Sequence, residues 1–168
     1  NDRSMGLMPM FLAAVNILFI RSLCAIAPRY PWVDRLALAM GFLVLLLSVA
    51  FPFASGAFEN GIVAFSLLSS MALTLVLASL AWRRGDVVGR WVLFAYLPLT
   101  ITIVIAMLRL YGFLTASWLS FDGPSVAAAL AVPLLLIAVN VRSRDRHGAM
   151  TRVNKLTAQD ALTGLLSP

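Results

Sequence analysis

Few side chains in this sequence could do chemistry, and those that stand out sit where an apolar chain should exclude them. Arg109 lies in the run MLRLYGF and Asn16 in the run AAVNILFI. A charge inside a membrane-spanning helix is costly, which makes Arg109 a candidate for sensing. Its long side chain can equally snorkel to the headgroups, because it falls one or two turns from a helix end. The Asn16 amide can hydrogen-bond across a bundle, a contact worth about 0.6 kcal/mol, or touch a ligand. Pro98 and Pro133 each remove a backbone hydrogen bond within an apolar run and are candidate hinges. Cys24 is the single cysteine and His147 the single histidine. These residues therefore offer no intrachain disulfide, no CxxC motif and no His-rich metal site. No HExxH, glycine-rich phosphate loop, intramembrane carboxylate pair or nucleophile–base arrangement is visible. Catalytic and metal-ligating sets are both empty.

The elements that must position these residues follow from composition. The 168 residues are 61% hydrophobic and 12% charged, against about 25% charged in a typical soluble domain. Mean hydropathy is +0.94. Five runs approach the roughly 20 apolar residues that a bilayer core needs: Leu7–Ala27, Leu36–Phe53, Gly61–Trp82, Trp91–Leu114 and Ser125–Val141. They are apolar all round, and so short a chain cannot bury five such helices in a soluble core. The predicted fold class is all-α, a polytopic transmembrane helical bundle of about five spans with the lipid bilayer as partner. Ser66, Ser69, Ser70 and Ala72 form a small-residue stretch that permits close packing of the third helix. Trp32, Trp82, Trp91 and Trp118 fall near predicted helix ends, as an aromatic belt requires.

The net charge of +6 reports topology rather than nucleic-acid binding, because the basic residues fall between the apolar runs. Arg21, Arg29 and Arg35 lie at the first loop, and Arg83, Arg84 and Arg90 at the third. Arg142, Arg144, Arg146, Arg152 and Lys155 lie in the tail. The second and fourth loops carry Glu59 and Asp122 and no Lys or Arg. The positive-inside rule then sets the N-terminus outside and the tail in the cytoplasm. Neither intramembrane acids nor paired broken helices support transport, so a small transporter-like bundle is the lesser alternative.

Beyond Val141 the chain turns polar. Residues 143–159 are compatible with a helix that Gly148 interrupts. Val139, Arg146, Met150, Val153 and Thr157 mark about two heptads, short of the three or four of a sustained coiled coil. The segment is either a basic juxtamembrane stretch held at the anionic inner leaflet or a signalling helix that pairs with its copy. Residues 160–168 follow, with Asp160, Leu162, Thr163, Gly164 and Leu165 in DALTGL, a polar helix end with Gly164 available as a cap.

That motif resembles the opening D-x-L-T-G-L of GGDEF diguanylate cyclase domains, with Ser167 and Pro168 where Asn and Arg are usual. The membrane part, residues 1–142, resembles the bacterial seven-transmembrane receptors with diverse intracellular signalling modules, the 7TM-DISM family. NILFIRSLCAIAPRYPWVDRL, AWRRGDVVGRWVLFAYLPL, MLRLYGFL and GPSVAAALAVPLLLIAVNVRSRDR carry the likeness, in an order that fits the family's third to seventh helices. The resemblance implies an inner-membrane receptor whose first two helices and sensory domain precede Asn1. It also implies an output cyclase that condenses GTP with Mg²⁺ into cyclic di-GMP across a homodimer. Those groups belong to the cyclase domain, so no cofactor is expected in these residues. The family being modular, a histidine kinase is an alternative output. A topology reporter fused after Phe58 is expected to read as periplasmic and one after Asp86 as cytoplasmic, and the reverse pattern would overturn the orientation.

Overall fold

In hydrocarbon every backbone N–H and C=O must be satisfied within its own segment, so an apolar chain folds into helices. The computed structural model describes residues 3–25, 27–28, 30–53, 57–115 and 117–163. Its elements are α1 (Arg3–Cys24), α2 (Pro31–Ala50), α3 (Ala57–Arg83), α4 (Val87–Leu110), the short α5 (Trp118–Phe121) and α6 (Gly123–Thr163). A 3-10 turn over Phe51–Phe53 closes α2. Among the described residues, five segments are long and apolar enough to cross a membrane: Gly6–Cys24, Pro31–Phe53, Phe58–Arg83, Val87–Leu110 and Gly123–Asp145. The chain is an all-α bundle of a membrane protein, with the expected number of spans.

Helix ends depart from the apolar runs for local reasons. The first helix stops at Cys24 rather than Ala27, because Ala25 turns left-handed with φ 44° ahead of Pro28. Pro31 starts α2 five residues before Leu36; its fixed φ is ready-made for the first helical position. The third loop shrinks to a tight turn. Gly85 N–H donates to Trp82 O and Asp86 N–H to Ala81 O, with Gly85 at φ 79°, a Schellman end for α3. Asp86 then starts α4, its Oδ1 accepting from Val88 N–H at 2.9 Å. A second Schellman end, built on Gly112 at φ 80°, stops α4 at Leu110 rather than Leu114. Gly148 does not interrupt the tail. The fifth span and the polar segment after it are one helix, α6, of 41 residues. At 1.5 Å per residue it is about 60 Å long, twice the roughly 30 Å of a hydrocarbon core.

The spans pack as a row in the order α2, α1, α3, α4, α6, each chiefly against its neighbours. The buried seam is built from Ala13, Ala14, Ile17 and Ile20 on α1, Leu77 and Ala78 on α3, and Val88, Val92 and Ala95 on α4. On α3 the buried face runs through Ser66, Ser70, Thr74, Ala78 and Ala81. Ser69 is half-buried, and Ala72, expected in the packing stretch, is exposed; two residues past Ser70, it is turned off that face. Leu46, Val49, Phe94, Leu130 and Leu136 are exposed, as lipid-facing surface must be.

Gly89 sets how closely α3 and α4 approach. A Cβ there would meet Trp82 N at 2.5 Å, Ala78 O at 2.7 Å and the Ala81 Cβ at 2.7 Å. Two of those are backbone atoms, so the helices themselves must move. Gly89→Ala is expected to destabilise the bundle by about 1–3 kcal/mol, read by detergent-induced unfolding of the purified chain. Gly61→Ala, which meets nothing within 4 Å, is the control and should leave stability unchanged or slightly raised.

Candidate functional site

Asn16 projects from the middle of α1 onto α3 and α4. Its Nδ2 donates to Ser70 Oγ at 3.3 Å and to Thr74 Oγ1 at 3.1 Å. Its Oδ1 accepts from the Tyr96 hydroxyl. Ser70 and Thr74 are one helical turn apart, so one amide reaches both. Ser70 in turn donates to Ala13 O at 3.1 Å, which binds α3 to the α1 backbone as well. Both amide hydrogens and the amide oxygen of Asn16 are thus engaged, and three helices meet at one side chain. Asn16 and Tyr96 also line a cleft of about 470 Å³ between α1 and α4, over Leu67 and Met71.

At the end opposite the basic loops, Arg109 turns inward to the loop. Its guanidinium lies 3.6 Å above the Phe121 ring, and its Nη1 donates to Ser120 O at 3.5 Å. Arg109 therefore clamps α5, which the sequence reading left as loop, against the end of α4. Ser117 and Ser120 cap α5 reciprocally, and that S-x-x-S pattern was the available signal. Both α4 and α6 run on through Pro98 and Pro133. The Thr102 hydroxyl donates to Pro98 O at 3.2 Å and Leu99 O at 3.0 Å, occupying carbonyls around the proline.

The basic end is held by charge. Arg21 pairs with Asp34 through two bonds, Nε to Oδ1 at 2.7 Å and Nη2 to Oδ2 at 2.6 Å; this joins α1 to α2. Arg84, just past α3, lies 4.5 Å over the Tyr30 ring ahead of α2. Arg142 on α6 reaches Asp86 Oδ2 at 3.6 Å, so the carboxylate that caps α4 also holds α6. These three contacts join α1 and α3 to α2, and α6 to α4. Sequence reasoning read Arg21, Arg84 and Arg142 as topology alone; the overlooked signal was an aspartate inside each basic loop, Asp34 and Asp86. Nε and Nη2 of Arg84 and Nε of Arg142 are buried without a hydrogen-bond partner.

The site residues do not gather at one point: Asn16 lies in the middle of the bundle, the other arginines at its basic end and Arg109 at the opposite end. Among the described residues no three His, Cys, Asp or Glu side chains could share a metal. The arrangement can pin helices and hold charge. The side chains of Arg146, Met150, Val153, Thr157, Asp160, Leu162 and Thr163 lie outside the description, as do Gly164 and Leu165 entirely. The sequence model of the family described as 7TM diverse intracellular signalling matches residues 1–142. Comparison with curated proteins and with solved structures finds no match.

Asn16→Leu should lower bundle stability by about 1–2 kcal/mol and Tyr96→Phe by about 0.6 kcal/mol, measured by detergent-induced unfolding. Asp34→Ala is expected to destabilise by about 2 kcal/mol, below the range of roughly 3–5 kcal/mol for fully buried pairs, because the Arg21 side chain keeps 28% exposure. Adding Arg21→Met to that variant should recover most of the loss.

Proposed function

Given that the chain belongs to the 7TM diverse intracellular signalling family, we propose that it carries an extracytoplasmic signal to a cytoplasmic diguanylate cyclase joined to α6. The chain is a transmembrane signalling receptor region; the cyclase output, the inner-membrane location and the cytoplasmic tail are the proposal. The observation that carries it is the unbroken α6, which starts at the outer loop, crosses the bundle and continues to Thr163. A movement at the outer end reaches the tail through one rigid element. The sequence Asp160 to Leu165 resembles the opening motif of GGDEF domains and supports a cyclase in particular. The residues of that domain that hold GTP and Mg²⁺ are not among these 168. Two copies must then meet at the tail, since cyclic di-GMP is condensed from two GTP across a dimer.

Inserting one residue after His147 in the full receptor rotates everything beyond it by about 100°, whereas seven residues restore the phase to within about 20°. With the whole receptor in membranes, supplied with GTP and Mg²⁺, the single insertion should change cyclic di-GMP formation several-fold, and the seven-residue insertion should bring it back. Equal output from both would sink the rigid-lever reading. Absence of cyclic di-GMP with autophosphorylation on histidine would replace the cyclase by a kinase.

A further inference from the structure

The ends of α1 and α6 do not close on each other at the basic end. Between them lies a cavity of about 340 Å³ lined by Phe19, Ser22 and Leu23 of α1 and Val139, Arg142 and Ser143 of α6, with His147 at its rim. Its lining is divided: Phe19, Leu23 and Val139 offer apolar surface, and Arg142 and Ser143 lie one helical turn beyond Val139 towards the tail. Arg142 is tied to Asp86 by a single contact at 3.6 Å through Nη1, and its side chain keeps 22% exposure. A partly exposed guanidinium at the end of a span is placed to meet lipid headgroups.

We infer that this cavity is a binding site for one anionic phospholipid, whose phosphate meets the exposed edge of the Arg142 guanidinium and whose acyl chain lies along Phe19, Leu23 and Val139. Basic pockets between transmembrane helices are the places where such headgroups are held, and a planar guanidinium can serve a carboxylate on one edge and a phosphate on another. The bound lipid stands against α6 where that helix leaves the membrane, so the leaflet's composition bears on how α6 sits beside α1. This rests on the chain crossing the membrane and not on which output follows α6.

The test uses the purified chain in nanodiscs of phosphatidylcholine containing a minor share of phosphatidylglycerol, transferred to detergent, with retained lipid counted by native mass spectrometry. The unaltered chain should keep one phosphatidylglycerol in preference to phosphatidylcholine. Arg142→Gln should weaken retention about tenfold, the loss of one charge-assisted group. Val139→Trp, which fills the apolar wall and leaves every charge in place, should weaken it as well, so the inference is tested even if Arg142→Gln fails to fold. Arg144→Gln, on the same helix but outside the cavity, should retain lipid normally. The inference is overturned if Arg144→Gln loses lipid as fully as Arg142→Gln, which means diffuse attraction. Unchanged retention in Val139→Trp overturns it too. So does displacement of the lipid by millimolar inorganic phosphate, which marks a site for free anions.

Discussion

A polar side chain in hydrocarbon has no water to return to, and that constraint organises this bundle. Asn16 answers it by using its whole amide on two neighbouring helices, Ser70 and Thr74 of α3 and Tyr96 of α4. A hydrophobic residue at the same place would slide along its partners, since lipid tails are as apolar as Leu and nothing drives one register over another. The amide fixes the register of α1 against α3 and α4 together. The small residues around it, Ala13 and Ala14 on α1 and Ser66 and Ser70 on α3, then let the backbones come close enough for the short side chains to reach.

The two ends solve a different problem, because charge is tolerated there. At the end away from the basic loops the Arg109 guanidinium lies on Phe121, which keeps a cation at the membrane edge while packing its stem. At the basic end Asp34 and Asp86 each lie within reach of an arginine. Asp86 does double duty. Its Oδ1 caps α4 at Val88 and its Oδ2 faces Arg142, so the start of one span and the exit of another share a carboxylate. The positive-inside bias and the packing of the helix ends are thus partly the same residues.

The number of spans, their placement and the alternation of charge were legible in the sequence, because hydropathy over 20 residues is a large, additive signal. Helix ends were less so. Pro31, Gly85 and Gly112 decide them through one residue's φ, which a window average dilutes. That is why Trp91 and Leu114 gave way to Val87 and Leu110. Asn16 was visible as an anomaly, but its partners were not: Tyr96 is 80 positions away, and only packing brings it near. Arg109 had two readings, sensing or snorkelling to headgroups, and neither involved Phe121, because a twelve-residue loop gives no hint of which aromatic turns back. The continuity of α6 was obscured by Gly148, whose cost to a helix of about 1 kcal/mol is small against a 41-residue run.

These differences in attachment bear on where a signal can move. The α1, α3 and α4 spans share hydrogen bonds at mid-membrane, so displacing one against another breaks bonds that the bilayer cannot replace. Between Val126 and Val139, α6 has no polar side chain at all, and its buried positions there are Ala127, Ala131 and Ala138. A seam of alanines is smooth: shifting it by a fraction of a turn exchanges one van der Waals surface for another and leaves no donor orphaned. The polar contacts that hold α6 are at its ends, the α5 loop clamped by Arg109 and the single contact of Arg142 with Asp86. The span that continues into the tail therefore slides against α4 over an apolar surface, and the polar contacts that resist its motion lie at its two ends.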